Sequence, residues 1–124
     1  MEGFSRRERL RSRNRIGDLF REGWRGAAAT AAARALANPA GVNLVAVIAG
    51  KGLGGAVKRN RARRRLRAAY RQQKNRLPRG WDLAILAKPG FLEAEWPDVK
   101  RDVILAAERA IRGATGKNRP VRPR

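Results

Sequence analysis

The sequence predicts one domain that mixes helices with a β-sheet, and three observations carry that prediction. Leu44-Val45-Ala46-Val47-Ile48 is an apolar run rich in β-branched residues, with the length of a buried strand. Trp81 to Ala87 is a second such run. Between them, about Ala56 to Arg76, the apolar residues recur at helical spacing. The chain has 124 residues, enough for one core and too few for two, and a hydrophobic content of 43% suffices to build it.

Taken in order, the first element is a short helix over about Asn14 to Glu22. Ile16, Leu19 and Phe20 fall there at helical spacing, and Asn14 can act as its N-cap. Ala27 to Ala37 is ambiguous, because alanine is the best helix former and propensity alone predicts a helix. Gly41 and Asn43 punctuate the start of the first strand, and Gly50, Gly52, Gly54 and Gly55 make a flexible loop after it. The long helix over Ala56 to Arg76 is ended by Pro78 and Gly80. Lys88-Pro89-Gly90 closes the strand Trp81 to Ala87. Pro97 suits the first position of a last helix reaching about Arg112, with Val99, Val103, Ala106, Ala107 and Ala110 as its apolar face. The domain is therefore expected over residues 1–112, and 113–124 reads as a basic, mobile, disordered tail rich in Pro and Arg.

Charge is the strongest functional signal. Thirty Lys and Arg face ten Asp and Glu, a formal net charge of +20. A small domain with that much uncompensated charge repels itself, which implies a polyanionic partner. No acidic residue lies between Glu22 and Asp82, and that interval contains the basic segment Lys58 to Arg79. A second basic cluster runs from Arg6 to Arg15, while Glu93, Glu95, Asp98, Asp102 and Glu108 gather at the other end. No apolar run is long enough to span a bilayer, and the N-terminus shows no signal-peptide pattern. There is no cysteine, hence neither a disulfide framework nor a thiolate metal site. A cytoplasmic protein with no membrane contact fits these features.

On a helical wheel, Ala62, Leu66, Ala69, Tyr70, Gln73 and Leu77 share one stripe, and Asn60, Arg63, Arg64, Arg67, Arg71 and Lys74 share the adjacent face. The first stripe can dock on a sheet while the guanidinium groups face outward. Arg59, Arg63, Arg67 and Arg71 form an i, i+4 series with no acid to relieve it, which a helix built only for solubility would avoid. Their planar forks suit phosphate oxygens, as in a folded RNA backbone. A DNA-recognition helix would need a helix-turn-helix neighbour, whereas apolar strands flank this one. With no histidine and no cysteine, the commonest general base and the thiolate nucleophile are both absent. Asp18 with Glu22, and Asp98 with Asp102, have the spacing to hold Mg²⁺, although acids near a helix N-terminus are favoured there without any metal. No catalytic or metal-ligating residue is expected in this chain.

Gly54-Gly55-Ala56-Val57-Lys58-Arg59-Asn60-Arg61-Ala62-Arg63-Arg64-Arg65-Leu66-Arg67 resembles the RNR motif of the bacterial ribonuclease P protein family. Lys51, Arg59, Asn60, Arg63, Arg64 and Arg67 match its basic positions, and Tyr70 its aromatic one. Leu10, Phe20 and Gly23 resemble the family's N-terminal pattern, and Asp82 to Pro89 its strand ending in Ala-Lys-Pro, so the likeness covers about Arg7 to Ile111. It implies an α+β fold, a two-layer α/β sandwich of the ribosomal protein S5 domain 2-like type with a left-handed strand-helix-strand crossover. It also implies a strand, not a helix, within Ala27 to Ala37. Lys51, Lys58, Arg59, Asn60, Arg61, Arg63, Arg64, Arg67 and Arg71 would then contact the catalytic RNA. A cleft beside the first helix would take the single-stranded 5′ leader of precursor tRNA, using Arg13, Arg15, Ile16, Phe20 and Arg34. Endonucleolytic removal of the leader would use Mg²⁺ held mainly by the RNA and leave a 5′ phosphate, with no protein partner required. The chain departs from the family at Gly52, where a second lysine is common, and at Ile16 and Ala28 to Ala33, where aromatics are common. A ribosomal or ribosome-associated RNA-binding protein would use the same kind of basic surface; the RNR motif favours the ribonuclease P subunit.

Overall fold

The structure is a computed structural model that describes residues 8–116. The chain forms helix α1 (Arg13–Glu22), strands β1 (Trp24–Ala27), β2 (Ala31–Ala37) and β3 (Leu44–Ile48), helix α2 (Ala56–Gln73), strand β4 (Trp81–Ala87) and helix α3 (Trp96–Thr115). Short 3₁₀ turns at Lys51–Leu53 and Lys74–Arg76 flank α2. The strands make one sheet in the order β1-β2-β4-β3. β1–β2 and β2–β4 pair antiparallel, while β3 and β4, joined through α2, pair in parallel.

Strand alternation sends side chains to opposite faces and so divides the core in two. Ala31, Ala33 and Ala35 of β2 with Leu83 and Ile85 of β4 bury against α2 and α3, alongside Leu66, Tyr70, Phe91, Val99 and Val103. On the other face Ala46 and Ala84 meet Leu10 and Leu19, with Ile16 packed against them, so α1 lies there. This is the α/β sandwich expected from the sequence.

Ala27–Ala37 resolves against propensity. A turn in which the Ala28 amide donates to the Ala31 carbonyl separates two strands. The weak helical preference of alanine yields to tertiary pairing, because only small side chains let α3 approach this closely. At Gly26 of β1 a Cβ atom would stand 2.2 Å from the Ala106 carbonyl oxygen.

Three boundaries also differ from expectation. The cap of α1 is Ser12, not Asn14: its hydroxyl accepts a hydrogen bond from the Arg15 amide at 3.2 Å, and the helix starts at Arg13. The long helix ends at Gln73, after which a 3₁₀ turn carries the chain to Pro78. The last helix continues past Arg112 to Thr115, so Gly113–Thr115 are helical rather than part of a disordered tail. Thr115 Oγ1 donates back to the Ile111 carbonyl at 3.0 Å. Residues 117–124 of that segment, and Arg6 and Arg7 of the N-terminal basic cluster, lie outside the described residues.

Candidate nucleic-acid interface

α2 docks as its pattern predicted. Ala62, Leu66, Ala69 and Tyr70 are buried, and Gln73 reaches across to α3, donating to the Lys100 carbonyl at 2.7 Å. The opposite side is cationic. Lys51, Lys58, Asn60, Arg61, Arg64 and Arg71 are exposed, and Arg59, Arg63 and Arg67 are half-buried. Arg63 donates to Asn60 Oδ1. Among the described residues none of Arg59, Arg61, Arg63, Arg64, Arg67 and Arg71 forms an ion pair with an acid. Burial, and then the charges of Arg9 and Arg63, lower the pKa of the Arg67 guanidinium. Partial burial and neighbouring like charges both disfavour the charged guanidinium, and an anionic oxygen placed beside it would relieve both.

Arg65, in the middle of the same basic run, points the other way. Its guanidinium donates to the carbonyls of Phe91 (2.9 Å), Leu92 (3.2 Å) and Ala94 (3.0 Å), and lies 5.6 and 5.7 Å from the ring centres of Phe91 and Trp96. It clamps α2 to the β4–α3 connection. Lys74, at the helix end, pairs with Glu8 at 2.8 Å and ties down the N-terminal segment. Beside that pair the Tyr70 phenol is pushed up to about 12, by burial first and then by the Glu8 charge, against a hydrogen bond with Asn43. Asn43 links three segments, donating to the Pro78 carbonyl and accepting from the Trp81 amide, both at 2.9 Å.

The residues expected at the α1 cleft separate into two groups. Phe20 and Arg34 come together: Phe20 is 37% exposed, and the Arg34 guanidinium stands 5.2 Å from its ring centre while donating to the Phe20 carbonyl. Burial, then the charge of Arg25, lowers the Arg34 pKa. Arg15 is committed elsewhere. Its Nε stands 2.5 Å from the buried Asp82 carboxylate, and it also donates to the Ala37 carbonyl at 2.9 Å. Arg13 is exposed. Ile16 faces a cleft of about 300 Å³, where it meets Arg9, Arg11, Ala46, Ile48 and Arg67. This cleft joins the α1 side of the sheet to the arginine face of α2. Arg9 and Arg11 belong to the basic cluster recognised in the sequence, but only the fold brings them beside Arg67.

Of the two carboxylate pairs, Asp18, Asp98 and Asp102 are engaged by protein groups. Asp18 pairs with Arg21, and Asp98 with Arg101 at 3.1 Å. Asp102, 2% exposed, accepts from Thr30 Oγ1 at 2.6 Å, from the Thr30 amide at 3.1 Å and from Arg101. Burial alone would raise its pKa; the hydrogen bonds from Thr30 and Arg101 prevail and hold it below the ordinary value of 3.8. Among the described residues no three or more His, Cys, Asp or Glu side chains gather in a group that could hold a metal ion.

An α/β sandwich that offers one acid-free arginine face defines an RNA-binding protein. The sequence profile of Ribonuclease P matches residues 4–111. The chain is 35% identical over 103 residues to the ribonuclease P protein component of Symbiobacterium thermophilum, covering 82% of this chain and 90% of that protein. To the same component of Kocuria rhizophila it is 29% identical over 106 residues, covering 86% and 94%. Among solved structures, the RNase P protein from Thermotoga maritima superposes with a TM-score of 0.71 at 22% identity, over 81% of this chain and 96% of that one. The Staphylococcus aureus RNase P protein gives 0.69 at 17% identity, over 90% and 98%, and both likenesses show the shared fold. The chain belongs to the ribonuclease P protein family, the protein components of a ribonucleoprotein endoribonuclease that acts with an RNA subunit and metal ions. Among its described residues no helix is long and apolar enough to cross a membrane.

Proposed function

We propose that the chain grips the ribonuclease P RNA with the arginine face of α2 and guides the 5′ leader of precursor tRNA along the cleft between α1 and the sheet. The observation that carries this reading is the acid-free row Arg59, Arg63, Arg67 and Arg71 on a rigid helix. Each guanidinium presents a planar pair of donors to phosphate oxygens without having to leave an intramolecular carboxylate. Lys51, Lys58, Asn60, Arg61 and Arg64 extend that contact around the start of the helix. Also on α1, Phe20 with Arg34 offers a ring and a guanidinium plane on which one unpaired base can stack, a contact of about 1–3 kcal/mol. Ile16 supplies an apolar floor, and Arg13 an exposed cation on the first turn of α1. Arg15 acts there by holding Asp82, and so the end of α1, in place.

Mg²⁺ is the metal of the reaction and is held mainly by the RNA; Asp18, Asp82, Asp98 and Asp102 serve Arg and Thr partners instead. The chain's own contribution is to bind and align the RNAs for cleavage of one phosphodiester in the cytoplasm, and no protein partner is needed. Residues 1–112 carry this role.

Reconstitution with a bacterial ribonuclease P RNA at low Mg²⁺ tests the reading. Added protein should raise cleavage of precursor tRNA at the mature 5′ end well above that of RNA alone. No gain would refute the assignment, and cleavage by protein freed of RNA would refute the division of labour.

A further inference from the structure

One row of the sheet ends in two arginines. Ala46 of β3 pairs with Ala84 of β4, Ala84 with Arg34 of β2, and Arg34 with Arg25 of the edge strand β1. Residues directly opposite in register share a face. Ala46 and Ala84 lie on the α1 side, packed with Leu19. Arg25 and Arg34 therefore project on that side too. Gly26, the next residue of β1, meets α3 on the other side, where a Cβ would stand 2.2 Å from the Ala106 carbonyl oxygen. Opposed positions hold their Cβ atoms about 5 Å apart, close enough for both guanidinium groups to reach one small anion.

Arg34 donates to the Phe20 carbonyl at 2.9 Å and stands 5.2 Å from the centre of the Phe20 ring. Arg25 is exposed. Among the described residues neither arginine forms an ion pair with an acid. The residues two positions away along the chain are Gly23, Ala27, Ala32 and Leu36, so none of these supplies a carboxylate. Like charges directly opposite each other destabilise a sheet. The repulsion is felt here: burial, then the charge of Arg25, lowers the Arg34 pKa. A charge on an edge strand deters edge-to-edge pairing of sheets. One arginine suffices for that purpose, and it has no need of a second one facing it.

We propose, resting on the leader reading given for Phe20 and Arg34, that Arg25 and Arg34 together clamp one phosphodiester of an RNA strand that lies beside Phe20. A phosphodiester has one negative charge and two non-bridging oxygens, one for each guanidinium. Its arrival relieves the repulsion that the free protein carries. The strand is the precursor's leader or an unpaired stretch of the catalytic RNA, and the two sources share this chemistry.

Arg25→Ala and Arg25→Lys are compared with wild type in two salt series. One follows assembly with ribonuclease P RNA; the other follows binding of precursor and mature tRNA by the holoenzyme. With Arg25→Ala, affinity for precursor tRNA should fall about fivefold, the range of an exposed ion pair. The slope of log K against log salt should fall by roughly 0.7, the value for one single-strand phosphate. Binding of mature tRNA should stay unchanged, and Arg25→Lys, which keeps the charge, should restore the slope. Precursors carrying one neutral methylphosphonate along the leader locate the contact: a single position should weaken wild-type binding and have no effect with Arg25→Ala. A slope lost in the assembly series instead assigns the phosphate to the catalytic RNA. Melting of free Arg25→Ala should occur no lower than wild type, because repulsion is relieved and no contact is lost. Unchanged slopes in both series would overturn the proposal. Phe20→Ala tests the underlying reading separately: equal losses for precursor and mature tRNA sink the leader assignment, while the Arg25 slopes still report whether a phosphate is bound.

Discussion

Replacing Arg65 with Ala separates the two uses to which this chain puts arginine. The side chain sits within the basic run of α2, yet every partner it has is intramolecular: three backbone carbonyls at 2.9–3.2 Å and two aromatic rings with centres 5.6 and 5.7 Å away. Hydrogen bonds from a charged donor contribute about 1.5–3 kcal/mol when buried, but the site is half-exposed and water can replace the lost donors, so about 0.7 kcal/mol each is reasonable. Ring contacts near the 6 Å limit add about 0.5 kcal/mol each. The loss should total about 3 kcal/mol, a fall in Tm of roughly 10–15 °C for a domain of this size. Urea denaturation measures it, with an unchanged m-value showing that the same folded state is being lost. At a temperature where the variant remains folded, the salt dependence of its affinity for the catalytic RNA should match wild type, because no phosphate contact is removed. A loss below about 0.5 kcal/mol, or a salt slope reduced by a full unit, would show that Arg65 faces RNA and refute the reasoning.

Replacing Arg63 and Arg67 together with Ala should do the reverse, leaving Tm near wild type while the slope of log K against log salt falls by roughly two units; filter binding across a salt series reads it. Gly26→Ala should cost about 3 kcal/mol or more in urea denaturation, since the new Cβ would meet the backbone of α3 at 2.2 Å (Ala106 oxygen) and 2.3 Å (Ala110 nitrogen), and neither atom can move without shifting the helix. Asp102 has a folded pKa below its unfolded value, so its contribution is complete above the unfolded pKa and is lost as pH falls through the lower folded one. Wild-type stability should therefore decline as pH drops below about 4, and Asp102→Asn should be less stable at neutral pH with a shallower acid decline. Parallel acid profiles for the two proteins would remove Asp102 from that role.

The elements with strong local patterns were legible in the sequence: strands Leu44–Ile48 and Trp81–Ala87, the start of α2 at Ala56 and the buried face of α3. Ala31–Ala37 was not legible from its residues, because a segment that is alanine apart from Arg34 and Leu36 has almost no period to read. Its strand state depends on β4 on one side and on the close approach of α3, both distant in sequence. The basic face of α2 followed from a helical wheel. The inward turn of Arg65 did not, since its acceptors are carbonyls of a connection 26 to 29 residues away. Arg15 likewise carried the composition of an RNA contact, and only the fold shows it spent on Asp82. Trp24 and Trp81 are 57 positions apart and stand at the same end of the sheet because β1 and β4 flank β2 in register.

The placement of the few acids explains how a chain of +20 folds and yet keeps one surface for RNA. Asp82 holds Arg15, Asp18 holds Arg21, Glu8 holds Lys74, and Asp98 with Asp102 holds Arg101. Each of these pairs fixes α1, α3 or the N-terminal segment, and none takes up Arg59, Arg63, Arg67 or Arg71 of α2. Carbonyl oxygens do the same work for Arg65, Arg34 and Arg109, which donate to Phe91, Phe20 and Ala27. What remains is a helix whose guanidinium groups repel one another along its length and have no internal route to neutrality. Their self-repulsion is relieved only by an external polyanion, so the free energy of gripping RNA includes the strain released when phosphates enter that row. Affinity and residual instability are thus two readings of one arrangement, the absence of any acid between Glu22 and Asp82.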